Sequence, residues 1–193
     1  GNGDGDGDGD ISNKISIAET YYDGVKSSWV YSYADLSPET DKTLVGALFL
    51  ATNVPFLIVG SYFGLESLIV SDNIGRELAT FSVLTDLAGV VSIWYHWSQL
   101  HYGPNRKEVR TSLIIDYVTA LSIIVYSGIL IAAHHIDVSK DLNFIGQACG
   151  AGGVACLAIG WLKEEGPWYL FWHSGWHVLS ALAGFELAQL LFV

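Results

Sequence analysis

The hydrophobic residues of this chain form long continuous runs, without the two-residue alternation of half-buried strands. Each run could cross about 30 Å of hydrocarbon as a helix. The pattern therefore predicts an all-α integral membrane protein, and a strand barrel is not favoured. Pro55 should kink the first helix. The five predicted spans are residues 43–64, 78–100, 112–133, 143–162 and 169–192.

A polar and acidic segment precedes the first run. Residues 1–10 are largely an alternation of glycine with aspartate, which cannot bury apolar surface. The chain thus divides into an acidic, Gly/Asp-rich N-terminal extension at residues 1–42 and a transmembrane helical domain at residues 43–193.

Oxygen-bearing side chains within the extension follow the spacing of a calcium-binding loop. The candidate Ca²⁺ ligands are Asp8, Asp10, Ser12 and Glu19. No entering helix is predicted before them, because Gly/Asp repeats are poor helix formers. A solvated acidic tail is therefore favoured over a calcium site.

Composition and charge narrow the class of protein. Of 193 residues, 51% are hydrophobic and only 15% are charged, a balance typical of membrane proteins. The net charge of -11, concentrated in the extension, does not suit a nucleic-acid partner. The chain contains no methionine, which favours a processed mature form, although removal of an initiator before Gly1 would look the same.

The distribution of positive charge predicts the topology. Seven of the nine lysine and arginine residues lie in the N-terminal segment or in the loops that share its side of the membrane. Such residues concentrate on the inside. We expect a multi-pass protein with its N-terminus inside and its C-terminus outside, in an organelle or endomembrane; the compartment is not indicated.

Polar residues within three of the runs lie at a common depth. They are Ser92 and His96 in the second run, Asp116 in the third, and His173 and His177 in the fifth. Residues four apart share one helix face. At about 1.5 Å per residue, His96, Asp116 and His173 lie about 6 Å below the same surface. Three imidazoles that leave a position for water are a common catalytic zinc set, and hydrogen-bonded interior histidines are the alternative.

These five residues resemble the signature of a known family. Ser92-x-x-x-His96, Asp116 and His173-x-x-x-His177 are similar to the motifs of the CREST superfamily of membrane hydrolases, over residues 78–193. The family includes the alkaline ceramidases, the adiponectin and progestin receptors, and the myomaker and GPI-anchored-protein-processing branch. The Trp-His-Ser-Gly-Trp-His wording at residues 172–177 most resembles the last branch.

The resemblance implies a zinc-dependent hydrolase that acts on an acyl amide or ester bond of a membrane lipid. His96, His173 and His177 would bind Zn²⁺, Asp116 would orient or deprotonate the attacking water, and Ser92 would assist at the oxyanion or the metal shell. The family has seven spans, whereas this chain has five predicted runs. Two helices of the family pattern are thus missing between the acid and the histidine pair.

The same residues also fit another class of function. The chain could be a non-catalytic accessory subunit of a larger organellar, photosynthetic or respiratory membrane complex, with other membrane subunits as partners. Its histidines would then be structural or bind haem or chlorophyll, for example through His96 and His173, which leaves His177 unexplained. A transporter is less favoured, since neither repeats nor broken helices are predicted.

Overall fold

A computed structural model describes residues 39–70, 72–103, 106–162 and 166–192 of the protein. All of the regular secondary structure in these ranges is helical, which confirms the all-α prediction. A 3₁₀ turn at Thr40–Lys42 precedes helices α1 (Leu44–Ala51), α2 (Val54–Ser67), α3 (Asp72–Tyr102), α4 (Lys107–Ala133), α5 (Phe144–Leu162) and α6 (Gly166–Phe192). The candidate calcium ligands Asp8, Asp10, Ser12 and Glu19 lie outside the described residues.

The first hydrophobic run forms two helices. Helix α1 ends at Ala51, Thr52 and Asn53 form a turn, and α2 begins at Val54 with Pro55 in its first turn. A proline lacks the backbone N–H and its ring clashes with the carbonyl four residues earlier, here Ala51. The kink expected at Pro55 takes the form of this two-residue turn within one 24-residue candidate span, Leu44–Ser67.

Four of the helical segments are long and apolar enough to cross a membrane, which supports a multi-pass membrane protein. They are Leu44–Ser67, Asn73–Tyr102, Lys107–Ala133 and Phe144–Leu162. The fifth predicted span is also helical, within the 27-residue α6, but it is not among these four. His173, His177 and Glu186 lower the hydropathy of α6, so its place in the membrane depends on burying those groups against its neighbours.

Helix α2 lies between α3 and α6 in the bundle. Helix α3 packs between α2 and α4, and α6 packs against α5 and α2. Within an apolar stretch of 18 residues in each helix, 50% of α3 is buried but only 6% of α4. Helix α4 therefore lies at the edge, where its apolar side chains suit contact with lipid.

Apolar clusters fill the two ends of this bundle. One cluster joins α2, α3, α4 and α6 through Val59, Phe63, Leu78, Phe81, Leu130 and Ala188. The other cluster joins α1, α3 and α6 through Phe49, Leu100, Tyr169 and Leu170. The histidines singled out in the sequence lie beside the second cluster, so apolar side chains shield them from water.

Close approach of α2 to α3 requires a glycine at position 60. The Ser82 hydroxyl donates a 2.6 Å hydrogen bond to the Gly60 carbonyl. A β-carbon at Gly60 would overlap the Asp86 carboxylate and lie 2.9 Å from the Asp86 backbone nitrogen. Because one of these atoms belongs to the backbone, the two helices would have to separate to admit a side chain.

We predict that Gly60→Ala lowers the free energy of unfolding by about 1–3 kcal/mol, through overpacking. The matched control is Gly128→Ala in α4, where an added β-carbon meets no atom within 4 Å. Alanine is the better helix former, so this control should not destabilise the protein. Thermal unfolding of both variants in detergent, followed by circular dichroism, tests the difference, and equal losses would contradict it.

Candidate metal centre

Three histidines from two helices meet in the interior of the bundle. His96 comes from α3, and His173 and His177 come from one face of α6. One ring nitrogen of each lies within 4.8 Å of the others. The ring centroids are 4.9 Å apart for each pairing of His96 with an α6 histidine, and 4.7 Å apart within α6. The residues that the sequence placed at one depth are thus close enough to bind a single ion.

Two of the ring nitrogens in this cluster have no hydrogen-bond partner among the described residues. His96, His173 and His177 are 0%, 9% and 2% exposed. Nε2 of His96 and Nδ1 of His173 are buried and unpaired within the described part of the chain. A buried polar atom without a partner costs about 1–3 kcal/mol. A metal ion would accept a lone pair from each, so the donor set fits a metal centre.

The other hydrogen bonds of these rings involve two residues outside the five-residue motif. Nδ1 of His96 lies 3.0 Å from Oε1 of Gln99, and Nδ1 of His177 lies 2.9 Å from Oγ1 of Thr52. Gln99 follows His96 by three residues, so helical spacing could have indicated it. Thr52 and His177 are 125 positions apart, and no local pattern joins them.

Aromatic rings enclose the cluster. The Phe49 ring of α1 lies 4.7, 6.1 and 5.7 Å from the rings of His96, His173 and His177, between centroids. Tyr169 stacks on His173 at 4.9 Å with an interplanar angle of 21°. Phe49 and Tyr169 are 2% and 6% exposed, so they reduce access of water and strengthen electrostatic interactions at the site.

The predicted acid and hydroxyl lie together beside the histidines. Ser92, one helical turn before His96, hydrogen-bonds the Asp116 side chain and so joins α3 to α4. Asp116 is half-buried and is not part of the group of mutually close ring nitrogens. Because Ser92 lies on the His96 face of α3, its partner carboxylate is held near the histidine cluster. Asp116 thus lies near the cluster without being one of the grouped ligands.

No protein-family model, curated protein or solved structure matches this chain. The fold and the site define an all-helical protein of membrane-spanning composition with a buried cluster of three histidines that could hold a metal ion. Membership of the CREST superfamily stays a prediction from the motifs.

Removal of the α6 histidines should remove a bound metal. We expect the His173→Ala, His177→Ala double variant to lose the ion, of which the purified protein should hold about one per chain in a three-imidazole site. His134→Ala is the matched control, because that histidine bonds Glu77 in a separate part of the bundle. Metal analysis by mass spectrometry measures this, and equal metal content in both variants would contradict the site.

Proposed function

We propose that this protein is a zinc-dependent membrane hydrolase that cleaves an acyl amide or ester bond of a lipid. The observation that supports this most is the convergence of three buried imidazoles beside the Ser92–Asp116 pair. A set of three histidines with one open position is common in catalytic zinc sites.

The number and kind of donors favour a catalytic zinc site over a structural one. Structural zinc sites have four protein ligands, often with cysteines. Among the described residues, no cysteine or carboxylate joins the group of His96, His173 and His177. Imidazole donors suit several transition metals, zinc among them. The choice of zinc also follows the resemblance of the motifs to the CREST signature.

The residues around the cluster have the groups needed for hydrolysis. Zinc at this position would lower the pKa of a bound water towards about 7 and polarise an acyl carbonyl. The Asp116 carboxylate accepts a proton from the attacking water, whose oxygen bonds to the acyl carbon. The carbon–nitrogen or carbon–oxygen bond then breaks, and Asp116 returns the proton to the leaving group. The Ser92 hydroxyl donates to the Asp116 carboxylate and orients it. Once Asp116 carries the proton, this hydroxyl can donate to the developing oxyanion instead.

A membrane lipid is the substrate class that suits this location. Asp116 and Ser92 lie on helices that are apolar enough to cross a bilayer, so the acyl carbonyl would arrive from the hydrocarbon side. The positive-charge pattern supports an N-terminus inside and a C-terminus outside.

The ring positions disfavour a haem held axially by both His96 and His173. In axial ligation of a haem by two histidines, the planar macrocycle stands between the two imidazoles. The rings of His96 and His173 are in contact, with centroids 4.9 Å apart, and leave no such space. A single ion can be reached by all three rings. The competing function is an accessory subunit of a larger complex. In that case too, no macrocycle would stand between the His96 and His173 rings.

We predict that Asp116→Asn retains zinc and lowers lipid hydrolysis by about 10²- to 10⁴-fold, because the amide cannot accept the proton. The assay is release of fatty acid from N-acyl and O-acyl lipids in proteoliposomes, beside metal analysis. Asp86→Asn is the matched control, since Asp86 is an intramembrane carboxylate of α3 that packs against Gly60.

Two results would overturn parts of this proposal. Loss of zinc with unchanged hydrolysis in Asp116→Asn would contradict the role assigned to the acid. Purified protein without zinc, or with the absorbance of a bound haem or chlorophyll, would favour an accessory subunit.

A further inference from the structure

We propose that Thr52 and Gln99 are positioning residues of the metal centre, which hold a proton on Nδ1 of His177 and His96 so that both rings offer Nε2 to the ion. This inference rests on the metal site of the proposed function and not on the hydrolysis. Neither residue belongs to the motif that indicated the site.

The hydrogen bonds of Thr52 determine which atom donates to it. Its hydroxyl donates to the Phe49 carbonyl at 2.6 Å, a bond within the last turn of α1. A hydroxyl has one proton, so towards His177 it can only accept. Nδ1 of His177, at 2.9 Å, therefore carries the proton. The lone pair of the neutral ring then lies on Nε2.

His96 also carries its proton on Nδ1, towards a different acceptor. The Gln99 side-chain oxygen, 3.0 Å from Nδ1 of His96, has no proton to give. The Gln99 amide also hydrogen-bonds the Tyr169 side chain. With its oxygen towards His96, the Gln99 NH₂ group is the donor towards Tyr169, and this second bond restrains the side chain. Nε2 of His96 is left unprotonated.

The unpaired atoms of the cluster agree with this assignment. Nε2 of His96, which would carry the lone pair, is the atom that is buried without a partner. His173 differs, because its buried unpaired atom is Nδ1 and its ring is held by stacking on Tyr169. Two rings are thus oriented by hydrogen bonds and the third by an aromatic neighbour.

The turn between α1 and α2 contributes to the metal centre, because it contains Thr52. Thr52 occupies the turn that precedes Pro55, and α1 also brings Phe49 onto the rings. Its hydroxyl therefore connects the first helical segment to a histidine of the last one. Groups that orient metal-binding histidines typically contribute 10- to 100-fold in metal affinity.

The test compares variants at position 52 with a control elsewhere in the core. Thr52→Val keeps the shape and removes the hydroxyl, and Thr52→Ser keeps the hydroxyl. We expect zinc affinity, measured by competition with a chelator, to fall about 10- to 100-fold in the valine variant and to recover in the serine variant. Thr85→Val is the matched control: its buried hydroxyl donates to the Phe81 carbonyl at 2.7 Å, and it bonds to none of the three histidines. It should leave zinc affinity unchanged.

Gln99 is tested in the same way. Gln99→Leu removes the acceptor and should weaken zinc binding by a similar factor, whereas Gln99→Glu keeps a side-chain oxygen and should retain most of the affinity. Equal loss in the leucine and glutamate variants would contradict a positioning role.

A direct reading of the tautomers keeps the inference testable even if a variant fails to fold. Histidine-selective ¹⁵N labelling of metal-free wild-type protein should show Nδ1–H on His96 and His177, assigned by single His→Gln variants. Nε2–H on either ring would overturn the inference, as would unchanged zinc affinity in both Thr52→Val and Gln99→Leu. Wild-type protein with the expected tautomers but no zinc binding would instead overturn the proposed function.

Discussion

A buried imidazole nitrogen needs a partner, and the arrangement of this bundle depends on that requirement. Lipid cannot supply a hydrogen bond, and water has little access behind Phe49 and Tyr169. The histidines therefore point towards one another and towards Gln99 and Thr52. Two ring nitrogens remain without a hydrogen bond to the described residues. An ion between the rings would satisfy the remaining lone pairs and offset the cost of burying three polar rings.

The helices are packed so as to bring these groups to one level. Helix α3 carries His96 and Ser92, α6 carries the histidine pair, and the end of α1 supplies Phe49 and Thr52. Thr52 lies in the turn between α1 and α2, just before Pro55. Helix α4 contributes mainly through the contact of Asp116 with Ser92 and leaves most of its apolar surface for lipid.

Parts of the site could be predicted because helical periodicity is short-ranged. His173 and His177 had to share a face at a spacing of four, and so did Ser92 and His96. Asp116 could be assigned to the same depth by counting from the end of its run. Helical spacing also places Gln99 beside His96, but an amide three residues after a histidine does not by itself indicate a role. Helical spacing could not indicate Thr52, because Thr52 and His177 are 125 positions apart and meet only when α1 packs against α6.

The sequence by itself determined the helical class, the apolar segments and the faces on which the histidines lie, because hydrophobic runs and a 3.6-residue repeat are local properties. It also indicated an interruption of the first helix near Pro55, where a two-residue turn separates α1 from α2 within one candidate span. Tertiary structure decided that the three imidazoles converge, which nitrogens are paired and which side chains enclose them. Those outcomes depend on the crossing of α3 with α6 and on the approach of α1, and helix crossings follow from packing of surfaces distant in the chain.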